Sequence, residues 1–155
     1  MSVESKIVKI LAGVDGSDYS RIAAKRAISL TQNYDAELTV LYVVSPEVRF
    51  GYLENVFTPG LPGPLKEVIM LAMEKGQKYV EEVKQEAFAN NTKVRTDVII
   101  GSVSVAKTIV LYAEEQKMDL IVVGTRGISG IKKVLLGSTA SSVVNHAHCP
   151  VLVVK

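Results

Sequence analysis

The sequence predicts an α/β protein built on one open, five-stranded parallel sheet with helices on both faces. Five short runs rich in β-branched residues are bounded by turn residues, helical patterns separate them, and the two alternate as β-α-β-α-β-α-β-α-β. Alternation of this kind implies right-handed crossovers and a parallel, doubly wound sheet. In such sheets ligands bind beyond the carboxyl ends of the strands, where the strand order reverses. The loops after the first and fourth strands are therefore the places to look for a site.

Each element has its own pattern. The strand runs are Ile7 to Val14, Glu37 to Val44, Val94 to Ile100, Leu120 to Val123 and Pro150 to Val154. Most are nearly continuous in apolar residues, as expected of strands buried on both faces. The first helix runs from Ser17 to about Asn33, with Ala23, Ala27 and Leu30 on one stripe. The second, from Leu65 to about Asn90, carries Leu65, Val68, Ile69, Ala72, Tyr79, Val80, Val83 and Ala87. Val105, Ile109, Tyr112 and Ala113 mark a third helix, and Ala140, Val143, Val144 and Ala147 a fourth. All four stripes fit a period of 3.6.

Composition narrows the class. The 155 residues suit one domain, residues 1–155, with a single well-filled core. With 48% hydrophobic and 22% charged residues the chain is neither disordered nor fibrous. The 18 basic and 16 acidic residues are scattered without like-charge runs, which argues against nucleic acid or a membrane surface as partner. No apolar run approaches the 18 or so residues that span a bilayer, and the polar start MSVESK does not resemble a signal peptide. A cytoplasmic protein is expected. Its one cysteine, Cys149, fits a reducing compartment and reads as a small packing residue. His146 and His148, two apart, match the i, i+4 spacing of helical metal sites poorly.

The loop after the fourth strand contains GTRGISGIKKVLLGS, Gly124 to Ser138. Gly124 and Gly127 permit positive φ and close approach of a ligand to main-chain N–H groups. Gly137 and Ser138 stand where the last helix begins, and unpaired N–H groups at a helix N-terminus attract an anion. The glycines are either a phosphate cradle or the punctuation of a loop, and Ser138 is equally an ordinary N-cap. A helix terminus contributes only about 0.3 to 1 kcal/mol, up to ~2 when partly buried, whereas micromolar affinity requires roughly 8 kcal/mol. A second anchor is required.

Gly13-Val14-Asp15-Gly16-Ser17, after the first strand, offers one. Asp15 could accept hydrogen bonds from ribose hydroxyls or orient a hydrated Mg²⁺ beside phosphates; the alternative is that it caps the helix starting near Ser17. Other nucleotide signatures are absent: there is no G-x-G-x-x-G after the first strand, no G-x-x-x-x-G-K-[ST], and no G-x-S-x-G elbow. No catalytic residue stands out. The segment from Ser45 to Pro64 holds four of the five prolines. It is long for a βα loop, ordinarily about 2 to 6 residues, and reads as either a surface excursion or a lid carrying Tyr52 or Phe57.

These residues carry a resemblance. The spacing G-x2-G-x9-G-[ST], met by Gly124, Gly127, Gly137 and Ser138, resembles the ATP-binding signature of the universal stress protein family. GVDGS, LYVV at Leu41 to Val44, GSVSVAKTI from Gly101, DLIVVGTRG from Asp119 and the closing CPVLVVK resemble family blocks in order, so nearly the whole chain is covered. The resemblance implies a Rossmann-like sheet of order 3-2-1-4-5, of the adenine nucleotide alpha hydrolase-like kind, and a homodimer formed through the last strand. It implies that adenine meets the main chain at Val43 and that Gly13 and Val14 line the pocket, with Asp15 near the ribose and metal. The loop Gly124, Thr125, Arg126, Gly127 to Gly130 would wrap the phosphates, and Ser138, Thr139 and Ala140 would complete the cradle. Arg126, Lys132 and Lys133 are candidates for added charge, and Gly101 for the adenine side or a turn.

The function so implied is a stress-response or signalling protein that binds ATP, with Mg²⁺, and whose nucleotide state regulates conformation or binding of unknown protein partners. The alternatives are a dimeric scaffold that binds no nucleotide, a slow ATP hydrolase, and an ATP-dependent ligase or nucleotidylyl transferase. The complete glycine spacing speaks against the scaffold, and the absence of HIGH-like or SGGxDS-like signatures against the transferase.

Overall fold

The computed structural model describes residues 6–46, 65–126 and 136–155. In chain order the elements are β1 (Lys9–Val14), α1 (Asp18–Tyr34), β2 (Glu37–Val44), α2 (Leu65–Ala89), β3 (Val94–Ile100), α3 (Val105–Glu115), β4 (Leu120–Gly124), α4 (Ser138–His146) and β5 (Val151–Val154). The strands form one parallel sheet of order β3-β2-β1-β4-β5, as expected.

Alternation along each strand divides the core in two. Ile10, Ala12 and Val14 of β1, with Leu38, Val40, Tyr42 and Val44 of β2, pack on Ala23, Ala24, Ala27 and Ile28 of α1 and on Val80, Val83 and Ala87 of α2. Leu11, Leu41, Val43, Ile121 and Val123 point the other way, onto Ile109, Val110 and Ala113 of α3 and Ala140 and Val143 of α4. Burial of both faces is why the strands read as unbroken apolar runs rather than as alternating ones.

The apolar stripe expected along the second helix is only half used. Val80 and Ala87 are fully buried, yet Val68 is 41% exposed. Gly76 packs on the Tyr42 ring near the carboxyl end of β2, so the turns before it run past the end of that strand. A helix of 25 residues is about 37 Å long at 1.5 Å per residue, whereas the 8-residue β2 covers about 26 Å.

Three helices end alike. Asp35, Asn91 and Lys117 adopt φ of 51°, 54° and 54°, and the next amides, of Ala36, Thr92 and Met118, reach back to the carbonyls of Thr31, Ala87 and Ala113 at 3.0, 2.8 and 2.8 Å. This is the Schellman arrangement, made here without glycine at the left-handed position.

At the amino edge of the sheet, Asp119 ties β1 to β4. Its Oδ2 accepts from the amides of Val8 and Lys9 at 2.9 and 2.8 Å, and its own amide donates to the Lys9 carbonyl at 2.8 Å. That clamp fixes the register of the two strands whose opposite ends border a cleft.

Candidate functional site

β1 ends in a turn that is held from within. Asp15 Oδ1 accepts from the Ser17 amide at 2.9 Å, and the Asp15 amide donates to Ser20 Oγ at 3.3 Å. Ser20 Oγ donates to the Ser17 carbonyl at 3.0 Å, while Ser17 Oγ accepts from the Ser20 amide at 3.2 Å and so caps α1. The capping alternative for Asp15 is not the one realised: one of its carboxylate oxygens serves the turn, and Ser17 caps the helix. Gly16 takes φ of +82°, which L side chains rarely adopt.

Across the cleft, α4 begins without a side-chain cap. Its N-cap is Gly137, extended at φ −64° and ψ 157°, and Ser138 is the first helical residue. This corrects the alternative in which Ser138 itself caps the helix. The Gly137 amide donates to the Thr125 carbonyl at 2.6 Å, and its carbonyl accepts from Ser141 at 2.9 Å, where the helical ladder starts. Ser138, Thr139 and Ala140 therefore hold first-turn amides that no side chain caps. The helix N-terminus is an electropositive wall.

The two ends enclose a cleft of about 560 Å³ at the carboxyl edge of the sheet, within the usual range for small-molecule sites. Ten of the expected residues line it: Gly13, Val14, Asp15, Val43, Gly124, Arg126, Gly137, Ser138, Thr139 and Ala140. Thr125 does not; it is 4% exposed, and its amide donates to the Val154 carbonyl at 2.9 Å, so it joins β4 to β5 behind the wall. Gly127 and Gly130 lie outside the described residues, as do Lys132, Lys133 and most of the Ser45 to Pro64 segment, with Tyr52 and Phe57. Gly101 is buried against Val43, Thr108 and Pro46, and donates to the Val44 carbonyl at 2.9 Å, so the turn role is the one it fills.

Gly124 has a packing role of its own. A Cβ there would stand 2.8 Å from the Tyr19 carbonyl carbon, so the first turn of α1 packs directly on the end of β4. Arg126 lies with its guanidinium carbon 5.9 Å from the Tyr19 ring centroid, a cation–π contact on the cleft rim.

The wall between the two polar ends is apolar. Leu41, Val43, Val105, Ile109 and Val123 form it, and sequence analysis assigned Val105 and Ile109 only to a helix stripe. Ser20, Tyr42 and Ser45 also line the cleft and were not singled out. Ser20 carried a weak signal, three residues after the N-cap; Tyr42 carried none, because its ring belongs to the opposite core layer. Burial, with Tyr79 and Asp15 nearby, holds the Tyr42 phenol above its ordinary range. Among the described residues no group of three or more His, Cys, Asp or Glu side chains could hold a metal ion. Burial, with Asp119 adding to it, pushes the Cys149 thiol up, and Cys149 packs against the α3–α4 core layer.

A parallel sheet of order 3-2-1-4-5 with a cleft at its switch point defines an α/β protein with a nucleotide-binding-type fold. The sequence model of the Universal stress protein family matches residues 6–155, and the chain belongs to that family. Universal stress protein MJ0531 of Methanocaldococcus jannaschii is 42% identical over 156 residues, covering 98% of this chain and 84% of the relative. The structure of universal stress protein UspA from Lactobacillus plantarum superposes with a TM-score of 0.80 at 28% identity, covering 97% of this chain and 99% of that one. A universal stress protein solved in complex with cAMP gives a TM-score of 0.64 at 25% identity over 97% and 98% of the two chains.

Proposed function

We propose that the cleft binds an adenine nucleotide, ATP with Mg²⁺, and that the bound nucleotide regulates the conformation or partner binding of a cytoplasmic stress-response protein. The observation that carries this reading is the α4 N-terminus, which faces the cleft without a side-chain cap and stands across an apolar wall from Asp15. A phosphate group would complete the first-turn amides of Ser138, Thr139 and Ala140, with Arg126 and the loop Gly124 to Gly130 beside it. A flat base would lie on Val43, Val105 and Ile109, where burying one side-chain-sized apolar group contributes about 1.5–3 kcal/mol. Ribose contacts at Asp15 would add to these contributions.

The donor set fits Mg²⁺ held largely by phosphates and water, since that ion needs only one or two carboxylates from a protein. Asp15 is the residue that would orient it, by the oxygen not engaged with Ser17. The cAMP complex of a relative supports an adenine nucleotide as the ligand class. We also propose a homodimer through β5, which occupies one edge of the sheet and, among the described residues, pairs only with β4.

Denaturing the purified protein and analysing the released small molecules tests the reading. An adenine nucleotide at close to one per chain, or calorimetric binding of ATP with Mg²⁺, is expected. Absence of both would overturn the reading and favour a scaffold that binds no nucleotide.

A further inference from the structure

We propose that Tyr79, on α2 and outside the cleft wall, is a positioning residue for the Asp15 carboxylate, acting by packing its ring against Gly16. The inference rests on the nucleotide reading above and assigns a distant side chain to the same site.

Hydrogen bonds to Ser17 and to Ser20 of α1 hold the Asp15-Gly16-Ser17 turn on its α1 side, and none of these bonds reaches α2. A Cβ at Gly16 would stand 2.2 Å from Tyr79 Cζ and 2.3 Å from Cε2. The phenol end of the ring thus fills the space that a side chain at position 16 would take. The ring is itself held on two sides. It stacks on Tyr42, with centroids 6.1 Å apart and planes 23° apart. The Arg21 guanidinium stands 5.7 Å from the Tyr79 centroid and pairs with Glu82 of α2 at 3.4 Å.

Behind the turn lies a second cavity of about 210 Å³, bordered by Val14, Gly16, Ser20, Arg21 and Tyr79. Without the ring the turn has room to relax into that space and carry Asp15 with it. Gly76, three residues before Tyr79, belongs to the same device: a Cβ there would stand 2.4 Å from the Tyr42 ring. Two glycines, one on the turn and one on α2, therefore each admit one ring of the stacked pair, and Tyr42 lines the cleft while Tyr79 backs it.

The test compares Tyr79→Phe, which keeps the ring, with Tyr79→Leu, which keeps apolar bulk without it, each alone and with Asp15→Asn. Affinity for ATP with Mg²⁺ is measured by calorimetry, and exchange of the Asp15 and Ser17 amides by NMR without nucleotide. Tyr79→Phe should stay within about twofold of the parent, and Tyr79→Leu should bind about tenfold more weakly. In the Asp15→Asn background the Leu substitution should cause no further loss, because the two act as one unit. Exchange of the Ser17 amide, bonded to Asp15 Oδ1, should accelerate in Tyr79→Leu while the Leu11 amide of β1 stays protected, which separates local loosening from global unfolding. An equal loss with and without Asp15→Asn, or unchanged Ser17 exchange, overturns the proposal. If the parent protein binds no nucleotide, the nucleotide reading fails, and the exchange data alone decide whether Tyr79 holds the turn.

Discussion

Gly124 and Tyr19 are in direct backbone contact, and a Cβ on Gly124 would lie 2.8 Å from the Tyr19 carbonyl carbon. The glycine at the end of β4 thus serves the packing of α1 on the sheet as well as the cleft. Gly124→Ala should destabilise the protein by about 1–3 kcal/mol, the usual range for overpacking. A shifted midpoint in urea unfolding with an unchanged m-value is the expected result; an unchanged midpoint would mean that the contact relaxes freely.

At the α4 N-terminus, stability and ligand binding should separate. Gly137→Asp supplies the side-chain cap that the helix lacks and places a carboxylate where the phosphate is proposed to sit. Because Asp exceeds Gly as an N-cap by only a few tenths of a kcal/mol, the melting temperature should hold or rise slightly. Nucleotide affinity should fall by at least about tenfold from like-charge repulsion. Undiminished calorimetric binding in this variant would place the phosphates elsewhere.

Tyr112 makes stability depend on pH at the alkaline end. Its hydroxyl donates to Asp97 Oδ2 at 3.0 Å, and burial, that hydrogen bond and the Asp97 charge raise its pKa from 10.0 to about 12. A folded-state pKa above the unfolded one means that the stabilisation is complete below about pH 10 and is lost as pH rises through about 12. Tyr42, also raised, adds a slope of the same sign. Denaturation followed from pH 9 to 12 should therefore show a shallower decline for Tyr112→Phe than for the parent. The same variant should be less stable at neutral pH by about 0.5–1.5 kcal/mol for the lost hydrogen bond. Parallel curves would exclude Tyr112 as a source of the slope.

Lys117 sits at φ 54° in the turn that closes α3. A left-handed conformation costs an L-residue roughly 1–2 kcal/mol, against about 0.5–1 kcal/mol of added chain entropy for glycine. Lys117→Gly should stabilise the fold by about 0.5–1 kcal/mol, seen as a higher urea midpoint. Loss of stability would show that the lysine side chain makes a compensating contact.

The amino-acid sequence by itself determined the kind and order of the described elements, because unbroken β-branched runs, a helical period of 3.6 and the turn residues between them are local signals. It also brought Asp15 and Gly137-Ser138 to notice, since a carboxylate after one strand and a glycine before a helix can be read without knowing what surrounds them. The tertiary structure alone decided which groups share a space. Gly124 looked like a residue kept small for a ligand until the fold set Tyr19 against it. Thr125 falls within a promising loop, yet its backbone bonds to β5 and α4 carry it behind the wall. The pairing of Gly16 with Tyr79 joins residues 63 positions apart, from 16 to 79, on two elements that meet only when α1 and α2 pack on the same sheet face. No local pattern encodes such a contact, because it depends on the summed geometry of a sheet, two helices and the volumes of the side chains between them.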